Sequence, residues 1–130
     1  MLEWGQQEAI GTSMLNVTMI ESYRFGRIVI DGKSYTSDVI IYPDRVEANW
    51  WRREGHRLAP KDLEDVVVEG ARTLIIGTGS FGLVQVPPET LEYLTSKGFE
   101  VIVQKTEDAC QTYNRLSEQG AVIGAMHLSC

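Results

Sequence analysis

The sequence predicts an α/β fold. It is a compact three-layer single domain in which an N-terminal antiparallel β meander joins a mixed sheet with two βαβ units. Three observations carry this expectation. Leu74 to Gly82 reads LIIGTGSFG, an apolar strand running into a glycine-rich loop. FEVIVQ (Phe99 to Gln104) and AVIGAMHL (Ala121 to Leu128) are further strand-like runs, each reached through a stretch of helical spacing. Strand, helix, strand, helix, strand implies parallel pairing through right-handed crossovers. Upstream, Asp31-Gly32 parts two runs rich in β-branched and aromatic residues, as a tight hairpin turn with positive φ would.

Residues 1–22 lack clear periodicity and are expected to be an N-terminal extension ahead of a domain spanning 23–130. Tyr23 to Ile30 and Ser34 to Tyr42 are the strands of the hairpin, and Asp44-Arg45 turns the chain into a third strand, Val46 to Trp51. Pro60 suits the first turn of a helix, where its missing N–H costs nothing. Asp62, Glu64 and Asp65 favour the positive end of that helix dipole, and Leu63, Val66 and Val67 supply its apolar stripe. The spacing predicts a second helix from Pro88 to Gly98, with Leu91 and Leu94 inward. A third has Thr106 as N-cap, Glu107 and Asp108 in its first turn and Gly120 just past its end. Ala109, Cys110, Tyr113 and Leu116 form its buried face.

The chain has 130 residues, 43% hydrophobic and 23% charged, with a net charge of -6. That length suits one core. The acidic balance argues against nucleic-acid backbones and against anionic membrane surfaces. No apolar run approaches the roughly 20 residues that span a bilayer. The first cation is Arg24, which is not the basic start of a targeting peptide. With only Cys110 and Cys130, free thiols in a reducing compartment are expected, so the protein is read as cytoplasmic.

Gly77, Gly79 and Gly82 spell G-x-G-x-x-G after a strand. A dinucleotide site requires a helix to begin at the third glycine, yet Leu83 to Val86 is strand-like and Pro87-Pro88 delays the helix. A tight loop explains the glycines as well, and no cofactor is expected. Ser80, Asp108 and His127 follow hydrolase order, without the strand–turn–helix context of a nucleophile elbow. His127 and Cys130 form one close pair with His56 and Cys110 elsewhere, short of the paired ligand sets of structural zinc, so no metal is expected.

Two regions remain as candidate sites. Parallel pairing brings the Gly77, Thr78, Gly79, Ser80 and Gly82 loop, the Lys105-Thr106 turn and the His127 to Cys130 tail to one carboxyl edge. There Lys105 and helix N–H groups suit a small anionic ligand; the alternative is a solvated Lys105 and a Thr106 that merely caps. Trp50, Trp51, Arg52, Arg53 and His56 bring aromatics and cations together, the composition of an interface hot spot. The alternative is a core Trp with arginine stems over it.

FGRIVIDGKSYTSDVIIYP, WWRREGH, LIIGTG, GFEVIVQKTEDACQTYN and GAVIGAMHLSC, taken together over Tyr23 to Cys130, resemble a small α/β domain family. It is shared by the mitochondrial complex I assembly factor three, the adipogenesis-associated domain-containing protein and many archaeal and bacterial proteins. The resemblance implies a three-layer fold on a mixed sheet and brings no reaction, cofactor or catalytic residue. It implies an assembly role for the mitochondrial branch, from which this chain departs in lacking a transit peptide. The functional expectation is a non-enzymatic protein-interaction or assembly module with a protein partner. The alternative is an anion-binding protein or enzyme working at the carboxyl edge.

Overall fold

A computed structural model describes residues 18–130; the rest of the expected extension lies outside the described residues. The chain opens with three short strands, β1 (Ile20–Arg24), β2 (Arg27–Ile30) and β3 (Lys33–Tyr35), which form one antiparallel sheet in that order. The stretch expected as one strand from Tyr23 is thus two, folded at Phe25-Gly26, and pairing begins at Ile20. Asp31-Gly32 makes the expected turn with φ of 50° and 82° at its two residues. Such angles at consecutive positions suit a twisted two-residue hairpin, which is why glycine follows the aspartate.

The run from Ser34 to Tyr42 also divides. Thr36 to Asp38 carry the chain to a second sheet, where β4 (Val39–Tyr42) pairs with β5 (Arg45–Ala48). The meander therefore spreads over two sheets. β5 ends at Ala48, and Asn49, at φ 60°, releases Trp50 and Trp51 into a loop instead of the expected strand.

A 3-10 turn at Pro60–Leu63 leads into the short helix α1 (Glu64–Glu69). Then come β6 (Thr73–Thr78), α2 (Pro88–Ser96), β7 (Glu100–Gln104), α3 (Thr106–Ser117) and β8 (Val122–His127). The second sheet is ordered β5-β4-β8-β6-β7. β6 pairs in parallel with β7 and β8, while β4 runs antiparallel to β8. Both βαβ units are present, and the sheet is mixed as expected. Leu83 to Val86 forms no strand; Gln85 makes one isolated bridge to Arg57.

Alternation sorts the central strands between two apolar layers, so both faces are covered and the strands read as unbroken apolar runs. Val39, Ile41 and Ile75 face one layer, with Ile28 and Ile30 of the small sheet and Ala109, Cys110 and Tyr113 of α3. Ile40, Tyr42, Leu74 and Ile76 face the other, with Leu63, Val66 and Leu94. β6 and β8 are buried along their whole length. Their carboxyl ends deliver Thr78 and His127 side by side, at the one edge where three loops converge.

Candidate functional site

The sequence reads Thr106 as the cap of α3, but Lys105 is the N-cap and Thr106 is the first helical residue, fully buried. Its hydroxyl donates to the His127 carbonyl (2.6 Å) and accepts the Gly79 N–H (2.8 Å). One buried side chain thus joins all three loops of the carboxyl edge. The fit is close: a Cβ on Gly79 would collide with the Cys130 carbonyl carbon, and its φ of 106° disfavours any side chain. A Cβ on Gly77 would lie 2.8 Å from both Thr106 Oγ1 and Met126 Sδ.

The edge is filled by the chain itself. Ser80 N–H donates to the Ser129 carbonyl (2.6 Å) and Leu83 N–H to the Cys130 carbonyl (3.1 Å). Gly82 N–H is held by the Gly79 carbonyl (3.2 Å). The N–H groups of Gly79, Ser80, Gly82 and Leu83 in the glycine-rich loop are thus bonded within the chain, to Thr106, to the tail after the last strand and to Gly79 itself. Lys105 is exposed, its stem lying over Gly82. Tyr23 adds a further tie, donating to the Leu128 carbonyl (2.7 Å) and meeting Ser80 Oγ at 2.5 Å. Burial pushes its phenol above the usual range despite the Ser80 bond.

Behind the tail lies a buried charged cluster that unites members of both candidate regions with a residue that neither contained. Asp38 Oδ2 accepts from Arg52 Nη1 (2.8 Å) and from His127 Nδ1 (2.7 Å), and Oδ1 accepts the Leu128 N–H (2.8 Å). Arg52 Nη2 donates to the Gly55 carbonyl (3.0 Å). It also lies 3.1 Å from His127 Nδ1, but that nitrogen is committed as a donor to Asp38, so the shared carboxylate is what binds them. His127 Nε2 is left facing Ser129 Oγ at 3.4 Å, and the His56 ring meets His127 edge-on at 6.3 Å. Burial raises the Asp38 carboxyl, but the bonds from His127, Leu128 and Arg52 outweigh it and hold the group below its ordinary value.

Composition places Arg52 on a partner-facing surface. It is buried instead, its guanidinium 4.9 Å from the centre of the Trp50 ring. Sequence alternation does not see this, because the segment is not a strand. Asp38 escapes sequence reasoning altogether; the available signal is an acid set directly against the apolar run Val39–Tyr42.

The other members of the patch remain outside. Trp50 is half-buried and donates its indole N–H to the Asp62 carbonyl (3.2 Å). The Asp62 carboxylate accepts the N–H groups of Arg53 (3.1 Å) and Ala59 (2.8 Å), fixing the loop from both ends. Trp51 is thereby held outward, 76% exposed. It borders a groove of about 320 Å³ lined also by Glu47, Arg53, Lys61 and Asp65. Arg53 and His56 are exposed. A further exposed apolar group, Phe25 against Phe81 (6.1 Å between rings) with Leu83 following in the glycine-rich loop, has no counterpart among the sequence-based expectations.

Residues 20–127 match a family described as a protein of unknown function (DUF498/DUF598). The fold is similar to a conserved hypothetical protein, PH1505, from Pyrococcus horikoshii. The two are 31% identical over 85% of this chain and 98% of that one, with a TM-score of 0.74. It is similar to the Rpa2829 protein from Rhodopseudomonas palustris (26% identity, 83% and 81% covered, TM-score 0.68). The fold alone is shared with a Mth938-like domain protein from Bordetella pertussis (20% identity, 95% and 92% covered, TM-score 0.60). No helix among the described residues is long and apolar enough to cross a membrane.

Proposed function

Because the chain belongs to the DUF498/DUF598 family of proteins of unknown function, membership brings no reaction with it, and we propose that it works as a non-enzymatic protein-interaction module. The docking face is built on Trp51, Arg53 and His56, with Trp50 and Arg52 as its internal support. The observation that carries this reading is the exposure of Trp51 on a loop pinned by Asp62. A rigidly presented aromatic loses little conformational freedom on binding. Covering ~150 Å² of it is worth about 4 kcal/mol at ~25 cal/mol per Å². A partner offering an apolar side chain to Trp51 and a carboxylate to Arg53 fits the face.

The anion-binding alternative at the carboxyl edge is weaker, because the donors of its glycine-rich loop, at Gly79, Ser80, Gly82 and Leu83, are already bonded within the chain. The free thiols Cys110 and Cys130 support a reducing, cytoplasmic setting. The test is a photo-crosslinking amino acid placed at position 51 or, as a control, at Lys97 on the exposed end of α2. Position 51 should give one discrete protein adduct in the native host and position 97 none. Equal labelling at both, or none at 51, overturns the assignment.

A further inference from the structure

β7 is the edge of the five-stranded sheet: among the described residues it pairs with β6 alone. Its sequence, EVIVQ, holds no lysine, proline or bulge, the usual devices that keep an open edge from pairing. Val103, near its carboxyl end, is 42% exposed.

The direction of its free groups follows from the bonds it already makes. Glu100 N–H donates to the Arg72 carbonyl (2.8 Å), and the Gln104 carbonyl accepts the Thr78 hydroxyl (3.1 Å). In a strand the N–H and C=O of one residue point the same way, and successive residues alternate. Glu100, Ile102 and Gln104 therefore address β6, while Val101 and Val103 turn both main-chain groups outward. Those two residues stand symmetrically about Ile102.

We propose that β7 pairs antiparallel with β7 of a second copy of this chain, about a two-fold axis through Ile102, to form a continuous sheet across a homodimer. In this register Val101 of each copy stands opposite Val103 of the other, and each such pair exchanges both outward bonds. Ile102 meets its own counterpart as a non-hydrogen-bonded pair, with Cα atoms about 4.5 Å apart. The exposed Val103 is covered by a valine. Glu100, the strand's one charge, faces neutral Gln104, so no like charges are opposed.

The helices agree with the same axis. α3 is acidic in its first turn, at Glu107 and Asp108, and carries Arg115 in its last. Antiparallel pairing brings the acidic turn of one copy's α3 toward the basic turn of the other's. A groove of about 480 Å³, lined in part by Glu100, Ile102, Arg115 and Leu116, lies beside this end of β7 to receive it.

The experiment is mass measurement by light scattering on the full chain, with two variants. The wild type should run at twice the chain mass at tens of micromolar. Val103→Lys should raise the dissociation constant at least ~10-fold, with unchanged circular dichroism. Ile102→Cys places thiols within disulfide reach across the axis and should crosslink under mild oxidation, where the wild type, with its own Cys110 and Cys130, does not. A wild type that is monomeric throughout, or a dimer indifferent to Val103→Lys, overturns the proposal. If Val103→Lys does not fold, the crosslink decides: its formation supports the pairing and its absence rules it out.

Discussion

Arg52 sits between Trp50 and His56 in a run that reads as surface, yet its side chain is 5% exposed and paired to Asp38. Arg52→Ala leaves Asp38 with its His127 and Leu128 bonds but removes its charge-assisted one, so it should lower unfolding free energy by about 1.5–3 kcal/mol. Arg53→Ala, on the exposed neighbour, should change it by less than about 0.5 kcal/mol. Urea denaturation of the two variants checks the contrast. Asp38 adds a pH dependence of defined sign. Its carboxyl is held low in the folded protein by His127, Leu128 and Arg52 against the opposing effect of burial. A group depressed in this way contributes stability that is complete above its unfolded pKa, near 4, and is lost as pH falls through the folded value. Asp38→Asn should therefore be less stable at neutral pH and lose less further stability than the wild type on acidification below about pH 4. Composition reveals that Trp and Arg cluster here; it carries no information on which arginine turns inward. That depends on Asp38, brought beside Arg52 and His127 only by the fold.

At the scale of elements, the parallel strands and their helices are legible in the sequence because each is an apolar run or an amphipathic stretch bounded by Gly or Pro. The small strands are less so. Tyr23 to Ile30 and Ser34 to Tyr42 read as continuous β-propensity, and the fold breaks them at Phe25-Gly26 and at Thr36 to Asp38. Propensity does not register a change of sheet when both halves remain extended. Thr106 shows the same gap: a cap by its position, it becomes the hinge pin of three loops through tertiary contacts at His127 and Gly79. Thr106→Val keeps the shape but removes both bonds, leaving a buried N–H and a buried carbonyl unpaired. A cost of about 2–4 kcal/mol is expected. Amide exchange should accelerate first at Ser80 and Leu83, whose N–H groups hold the tail. A loss spread evenly over the domain would argue against Thr106 as the local clasp.

For the molecule as a whole, the carboxyl edge is legible as a meeting place but not as a closed one. Which donors are consumed there depends on where the residues after β8 turn, and strand pattern does not specify that. The consequence is a domain whose Asp38, Arg52 and His127 are bonded to one another, while Trp51 stays exposed. The net charge of -6 argues against a nucleic-acid backbone as the proposed partner. The central claim is that Trp51 anchors a protein partner. Native mass spectrometry of the wild type and of Trp51→Ala, both purified gently from the native host, tests it most directly. The expected result is a wild-type complex heavier by a second protein, and a Trp51→Ala sample, equally stable, at multiples of its own mass alone. A wild type found only at multiples of its own mass, or a heteromeric complex that survives Trp51→Ala, would contradict the account.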